Sequence, residues 1–191
     1  MKKLTILLSA FFLLTAFTTV GTWTNDKAHS QLAFTVTHLG VSDVSGTFND
    51  FDVVVTSSKP DFSDAAFSFT AKVASIDTRV EARDNHLKSA DFFDAAKFPE
   101  MSFKSSGLVK DGTNKFKLSG DLTIHGVTKP VTMNLLFRGV TENPMSKATL
   151  AGFQLTGSIK RSDFNLGAGF PAPMISDEVT IKADGEFIAG K

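Results

Sequence analysis

From Leu32 onward, apolar and polar side chains alternate with a period of two, and the alternation returns along the chain. Leu32, Phe34 and Val36 are interleaved with Ala33, Thr35 and Thr37, and Phe67, Phe69, Ala71 and Val73 with Ser68, Thr70 and Lys72. The same rhythm runs through 101–104, 116–124, 131–137, 151–159 and 179–187. A less regular stretch, 44–55, slips parity between Phe48 and Phe51, as a β-bulge does. The pattern predicts eight strands, each with one apolar and one polar face, the habit of half-buried antiparallel sheet.

The connections agree with that reading. Lys110-Asp111-Gly112-Thr113-Asn114 has turn chemistry, and the stretch from His125-Gly126 to Lys129-Pro130 is a second short link. One segment, 80–97, reads as helical, with a break near Ser89 that caps a turn holding Asp91, Phe92 and Phe93; Phe98-Pro99 ends it. No linker or repeat divides the chain, so one domain is expected. Strands with one apolar face have two solutions, a two-sheet sandwich or a sheet closed on itself. Ala71, Gly120, Ala151, Gly157, Ala183 and Gly185 share the apolar face. Small residues there leave room for a ligand inside a barrel, or relieve bending at its corners. A membrane barrel is disfavoured, because its strands need about 9–11 residues and girdles of Tyr and Trp. This chain has no Tyr, and its one Trp, Trp23, stands before the first alternating run.

Composition adds the compartment. Met1-Lys2-Lys3 precedes a nearly unbroken apolar run over 4–17, followed by Thr18, Thr19 and Gly21. This is the layout of a secretory signal peptide over 1–21, cleaved between 18 and 22, ahead of a mature domain 22–191; an uncleaved N-terminal anchor is the alternative. Cysteine is absent, so a lipidated N-terminus, disulfides and thiolate metal sites are excluded. Losing two of the 20 basic residues, Lys2 and Lys3, leaves 18 against 20 acidic. A nucleic-acid partner is not expected without a basic surplus.

Candidate chemistry is sparse. His29, His38, His86 and His125 show no metal-ligand spacing beyond Asp84 with His86, and neither HExxH nor GxSxG occurs. Gly167 to Ala172 formally matches GxGxxA but lies among prolines and opens no helix, so it is not a dinucleotide turn. No catalytic residue, cofactor or metal is therefore assigned. The run Glu81-Ala82-Arg83-Asp84 reads as a solvated helix face. His38 shares parity with Phe34 and Val36, so it points inward, as a buried imidazole bonded to backbone or as the grip on a ligand's polar head. The stretch 161–178 is long and apolar for a loop, with Phe164, Leu166, Phe170, Met174 and Ile175. It reads as a lid over one end of the barrel, with Phe92 and Phe93 beside it, or as a loop packed on its own core.

These residues carry a resemblance. His29-Ser30, Phe34, His38-Leu39-Gly40, Gly46-Thr47-Phe48, the run from Arg83-Asp84-Asn85-His86 to Asp91-Phe92-Phe93, Lys97-Phe98-Pro99, Leu122 to Val131 and Arg161-Ser162-Asp163-Phe164 together resemble the YceI family over the mature chain. The Pro-rich 167–176 does not map cleanly onto it. The resemblance implies an all-β, eight-stranded antiparallel, lipocalin-like barrel with a short helical insertion. It also implies a periplasmic protein of a Gram-negative envelope that holds a long amphipathic lipid: a polyprenyl chain, an isoprenoid quinone or a fatty amide. Transient membrane contact and a homodimer are compatible with such a carrier. The tunnel is then expected to be lined by Phe34, Val36, His38, Phe67, Phe69 and Phe103 on one side. Leu118, Leu122, Met133, Leu135, Phe153, Leu155 and Ile181 would complete it. The alternative is an enzyme acting on a lipid or quinone head group through His38 with His29 or His125.

Overall fold

The parity slip between Phe48 and Phe51 is a kink in one long strand. In the computed structural model, which describes residues 20–190, β1 (Gly21–His38) pairs antiparallel with both β2 (Ser42–Phe48) and β3 (Phe51–Ser57). Asn49 and Asp50 form the step between β2 and β3, and the rephasing buries both Phe48 and Phe51. The next strand follows the same bend. β4 (Ala66–Lys72) lies against β3, a 3-10 turn intervenes at Val73–Ser75, and β5 (Ile76–Asp77) resumes against β2.

The remaining strands are uninterrupted hairpin partners: β6 (Glu100–Lys110), β7 (Lys115–Ile124), β8 (Val127–Glu142), β9 (Thr149–Lys160) and β10 (Glu178–Ala189). β10 pairs back onto β1 from Trp23↔Ala189 to Thr35↔Thr180, closing the sheet. With the kinked pairs β2–β3 and β4–β5 each taken as one, this is a closed eight-stranded antiparallel barrel. Closure removes the free strand edge that would otherwise template aggregation. The polar faces point outward. Asp184, for example, lies 3.3 Å from Arg138 and 3.4 Å from Lys182 on the outer wall.

Single-residue register shifts interrupt the β6–β7 pairing between Ser105 and Gly107 and the β8–β9 pairing between Phe137 and Gly139, and a larger one lies in β1. Asn25 pairs with Phe187 and Ser30 with Gly185, so residues 26–29 bulge out of β1 opposite Glu186 alone. The Asn25 side chain repairs the gap toward β3, accepting a bond from the Val53 amide at 2.8 Å and donating to the Phe51 carbonyl at 3.4 Å.

The predicted 80–97 helix is shorter than expected. α1 spans Glu81–Lys88, and 89–97 are turns. Ser89 is the cause, since its backbone is extended while its hydroxyl donates to the His86 carbonyl at 2.7 Å and accepts from the Asp91 amide at 3.3 Å. That reversal turns Phe92 and Phe93 back onto the barrel, which a continuous helix would carry away. The α1 segment and the long β9–β10 connection share one end of the barrel; the β3–β4 loop closes the other. The proposed signal peptide falls almost wholly outside the described residues.

Candidate functional site

The inner faces of the strands enclose a cavity of about 490 Å³ with an almost wholly apolar lining, within the usual range for small-molecule sites of about 300–1,000 Å³. Phe34, Val36, His38, Phe67, Phe69, Phe103, Leu118, Leu122, Met133, Leu135, Phe153, Leu155 and Ile181, the residues expected from alternation, all border it. Parity placed them once the resemblance supplied the barrel, because in a closed barrel one face of every strand must look inward.

Of the small residues read as room for a ligand or as relief of bending, Ala183 and Gly185 border the cavity, whereas Gly120 and Gly157 are covered by neighbouring side chains. A Cβ at Gly120 would collide with the Lys104 carbonyl and with the Phe103 ring. One at Gly157 would collide with the Met133 sulfur, and one at Gly46 would meet the Phe34 ring. Each glycine is the bed on which a long side chain of the neighbouring strand lies flat. The cavity stays open because Phe34, Phe103 and Met133 lie along the wall rather than across the lumen.

One end is sealed by aromatic rings. Phe153 has ring neighbours Phe62, Phe67, Phe137 and Phe187, all with centroids 5.2–5.4 Å away. Phe62 comes from the β3–β4 loop, is 2% exposed and also packs on Trp23. Asp64 organises this loop, accepting hydrogen bonds from the Ser57 hydroxyl (2.5 Å), the Ser58 amide (3.1 Å) and the Ser58 hydroxyl. Desolvation raises its pKa, but the serine hydrogen bonds outweigh that and hold the carboxyl down at about 2.

The opposite end is covered by 161–177, and the covering is built around one arginine. The Arg161 side chain, 7% exposed, donates from Nη1 to the carbonyls of Leu166 (2.9 Å) and Gly167 (2.8 Å). Nη2 donates to Ile175 (3.1 Å) and to Phe170, and Nε to Ser176 (3.2 Å). A run of loop carbonyls is thereby gathered around a single planar fork of donors. Leu166, Phe170, Met174 and Ile175 close over the cavity, and the lid is hydrogen-bonded to the tip of β1 through Leu39 N to Met174 O (3.0 Å) and Ser176 N to Thr37 O (2.9 Å). Both readings of this stretch apply in part: it covers one end of the barrel, while Phe164 and Leu166 pack into the core.

Polar residues border the cavity in two places: Asn25, Ser30, Gln31 and Asp184 around the β1 bulge, and His38, Thr78, Arg83, His86 and Arg161 at the lid end. Arg83, His86 and Leu87, at i, i+3 and i+4, put one face of α1 on the cavity. Arg83 donates from Nε to Thr78 Oγ1 and from Nη2 to Thr78 O, both at 2.8 Å, and among the described residues neither Arg83 nor Arg161 has a carboxylate within ion-pair distance. The expectation of a wholly solvated face over 81–84 is thus corrected for Arg83. Helical spacing with Leu87 was the available signal.

The histidines do not converge. His38 borders the cavity but is exposed at the rim, not buried against backbone, because β1 ends there. His29 sits in the outer bulge, its Nδ1 2.9 Å from Asp26 and 3.9 Å from Glu186. His125, in the β7–β8 turn, lies against the Phe98 ring with Nδ1 3.3 Å from the Phe164 carbonyl. Neither His29 nor His125 borders the cavity. Among the described residues the one group of three ligand-type side chains is Asp26, His29 and Glu186, on the outside of the barrel.

Comparison with known proteins agrees with this architecture. Residues 23–187 match the YceI-like domain family. The chain belongs to the YceI family. Among its relatives, a UPF0312 protein of Staphylococcus aureus strain N315 is 39% identical over 169 residues, 86% of this chain and 96% of that protein. The YceI protein of Campylobacter jejuni superposes with a TM-score of 0.74 at 33% identity, over 81% of this chain and 90% of that one. BcnA of Burkholderia cenocepacia gives 0.73 at 27% identity, over 87% and 99%. A polyisoprenoid-binding domain from Saccharophagus degradans shares the fold at 0.67 with 16% identity, over 90% and 100%. The family match runs from within β1 to within β10.

Proposed function

We propose that this YceI protein is an exported, non-catalytic carrier that holds one long amphipathic lipid of the isoprenoid type in its barrel. The observation that carries the reading is the cavity itself: an apolar chamber sealed by phenylalanines at one end, with polar side chains gathered under a lid at the other. A chain enters such a chamber tail first. Each methylene removed from water contributes about 0.8 kcal/mol, so a dozen contribute on the order of 10 kcal/mol before association costs. The polar head then rests beside Arg83, His86 and His38, where a carbonyl or anionic group meets donors. The polyisoprenoid-binding neighbour supports the same ligand class.

Cargo exchange belongs at the lid end. Leu39, Val41 and Met174 are exposed there, at 56%, 82% and 42%, beside the mouth, and suit transient contact with a membrane surface. The N-terminal 1–21 segment supports export; β1 already pairs at Gly21↔Ser57, so within the cleavage window between 18 and 22 a cut after Thr18 leaves the strand whole. The test is organic extraction of the exported, purified protein followed by mass spectrometry. A near-stoichiometric isoprenoid or long-chain amphiphile supports the carrier. A protein that emerges empty and ignores added quinones, prenols and fatty amides overturns it.

A further inference from the structure

The sealed end of the barrel is more elaborate than a turn requires. β3 and β4 are adjacent antiparallel strands, and a polar loop would join them. Instead the connection folds inward to bury Phe62, and it does so with Phe62 in the left-handed region, φ 54, where a bulky L residue is disfavoured. The Asp64–Ser57–Ser58 hydrogen bonds hold that conformation in place. Strain of this kind, stabilised by its surroundings, marks a position whose side chain has a task.

The task is visible in what Phe62 supports. Phe67, Phe153 and Phe187 border the cavity, whereas Phe62 and Phe137 lie behind them. Phe153 is the centre of the cluster, in edge contact with Phe62 (79°), Phe67 (89°) and Phe187 (83°). Edge-to-face rings packed on every side cannot swing aside without opening voids. A chain entering from the lid therefore stops at Phe153, and Phe153 cannot retreat because Phe62 occupies the space behind it.

We propose that Phe153, backed by Phe62, is the length gauge of the tunnel: the pair sets the longest isoprenoid-type chain that seats with its head under the lid. The inference rests on the lipid-carrier reading and adds the specificity determinant to it. Truncating Phe153 to alanine frees about the volume of one five-carbon isoprene unit. Truncating Phe62 lets the Phe153 ring drop back and has the same sign. Enlarging Leu155, which borders the cavity on β9, to phenylalanine acts in the opposite direction.

The experiment offers the purified mature protein an equimolar ladder of all-trans prenols, from geraniol upward, and reads the bound lengths by mass spectrometry after removal of free lipid. The wild type is expected to show a sharp upper limit. Phe153→Ala and Phe62→Ala should raise it by about one isoprene unit, and Leu155→Phe should lower it. Variants that bind prenols with an unchanged limit overturn the gauge while leaving the carrier intact. If the alanine variants do not fold, Phe153→Leu and Leu155→Phe decide, and an unshifted limit in both overturns it equally. A wild type that takes no prenol of any length overturns the gauge; the carrier reading falls only if the protein also emerges empty and ignores quinones and fatty amides.

Discussion

The Phe170 ring stacks on the Phe92 ring, centroids 4.9 Å apart and planes 23° from parallel. One ring belongs to the lid and the other to the turns after α1, so this contact is a catch between the two segments that cover the cavity. His86 meets both rings edge-on, at 5.1 Å from Phe92 and 5.5 Å from Phe170. An aromatic pair of this kind is worth about 0.5–1.5 kcal/mol beyond its buried area. Phe170→Ala is expected to speed lipid release about 3–10-fold while leaving thermal stability nearly unchanged, because the catch lies outside the barrel core. Stopped-flow displacement of a fluorescent fatty probe checks the rate; an unchanged rate shows that the lid opens elsewhere.

Arg161 is expected to behave as a structural residue despite bordering the cavity. Removing its guanidinium leaves several loop carbonyls without donors, and an unsatisfied buried group costs about 1–3 kcal/mol. Arg161→Met should destabilise the protein by about 3 kcal/mol in urea unfolding and expose the lid amides to hydrogen exchange. Arg161→Lys should rescue little of this, because an ammonium has three donors on a point rather than five in a fork. Full rescue by lysine would mean that the charge, not the fork, organises the lid.

The two central glycines should differ in tolerance. At Gly157 the obstacle is the end of the flexible Met133 side chain; at Gly120 it includes the Lys104 backbone carbonyl. Gly120→Ala is therefore expected near the upper end of the 1–3 kcal/mol range usual for overpacking and Gly157→Ala near the lower. Melting curves of the two variants give the order directly, and equal or inverted costs would contradict the bed geometry.

These glycines also show where sequence reading succeeds and where it stops. Alternation placed the inward residues because a strand has two faces and the barrel assigns one of them to its interior. The Phe48–Phe51 slip located the kink because two buried phenylalanines three apart cannot share one regular strand. Parity says nothing about which neighbour lies across a small residue, so Gly120 and Gly157 read as room or as relief of bending, when Phe103 and Met133 cover them. Arg83 was hidden by its charge, although its spacing from Leu87 marked the inner face of α1. Phe62 was invisible: it stands alone among Pro60, Asp61, Ser63 and Asp64, and only the fold turns it inward.

The sealed end should loosen in acid, and the sign follows from Asp64. Its carboxyl titrates at about 2 in the folded protein against an ordinary 3.8. A group with a depressed folded pKa stabilises the fold above its unfolded value and loses that contribution as pH falls through the folded one. Asp64→Asn should therefore be less stable than the wild type at neutral pH, by a modest amount because the side chain is solvent-exposed and screened. The difference should shrink as pH drops from about 4 and disappear only once pH has fallen below about 2. Paired urea titrations across that window measure it, with hydrogen exchange at the amides of 58–65 reporting the loop itself. A gap between the two proteins that stays constant down to the lowest pH would show that the Ser57 and Ser58 hydroxyls hold the loop without the carboxylate charge.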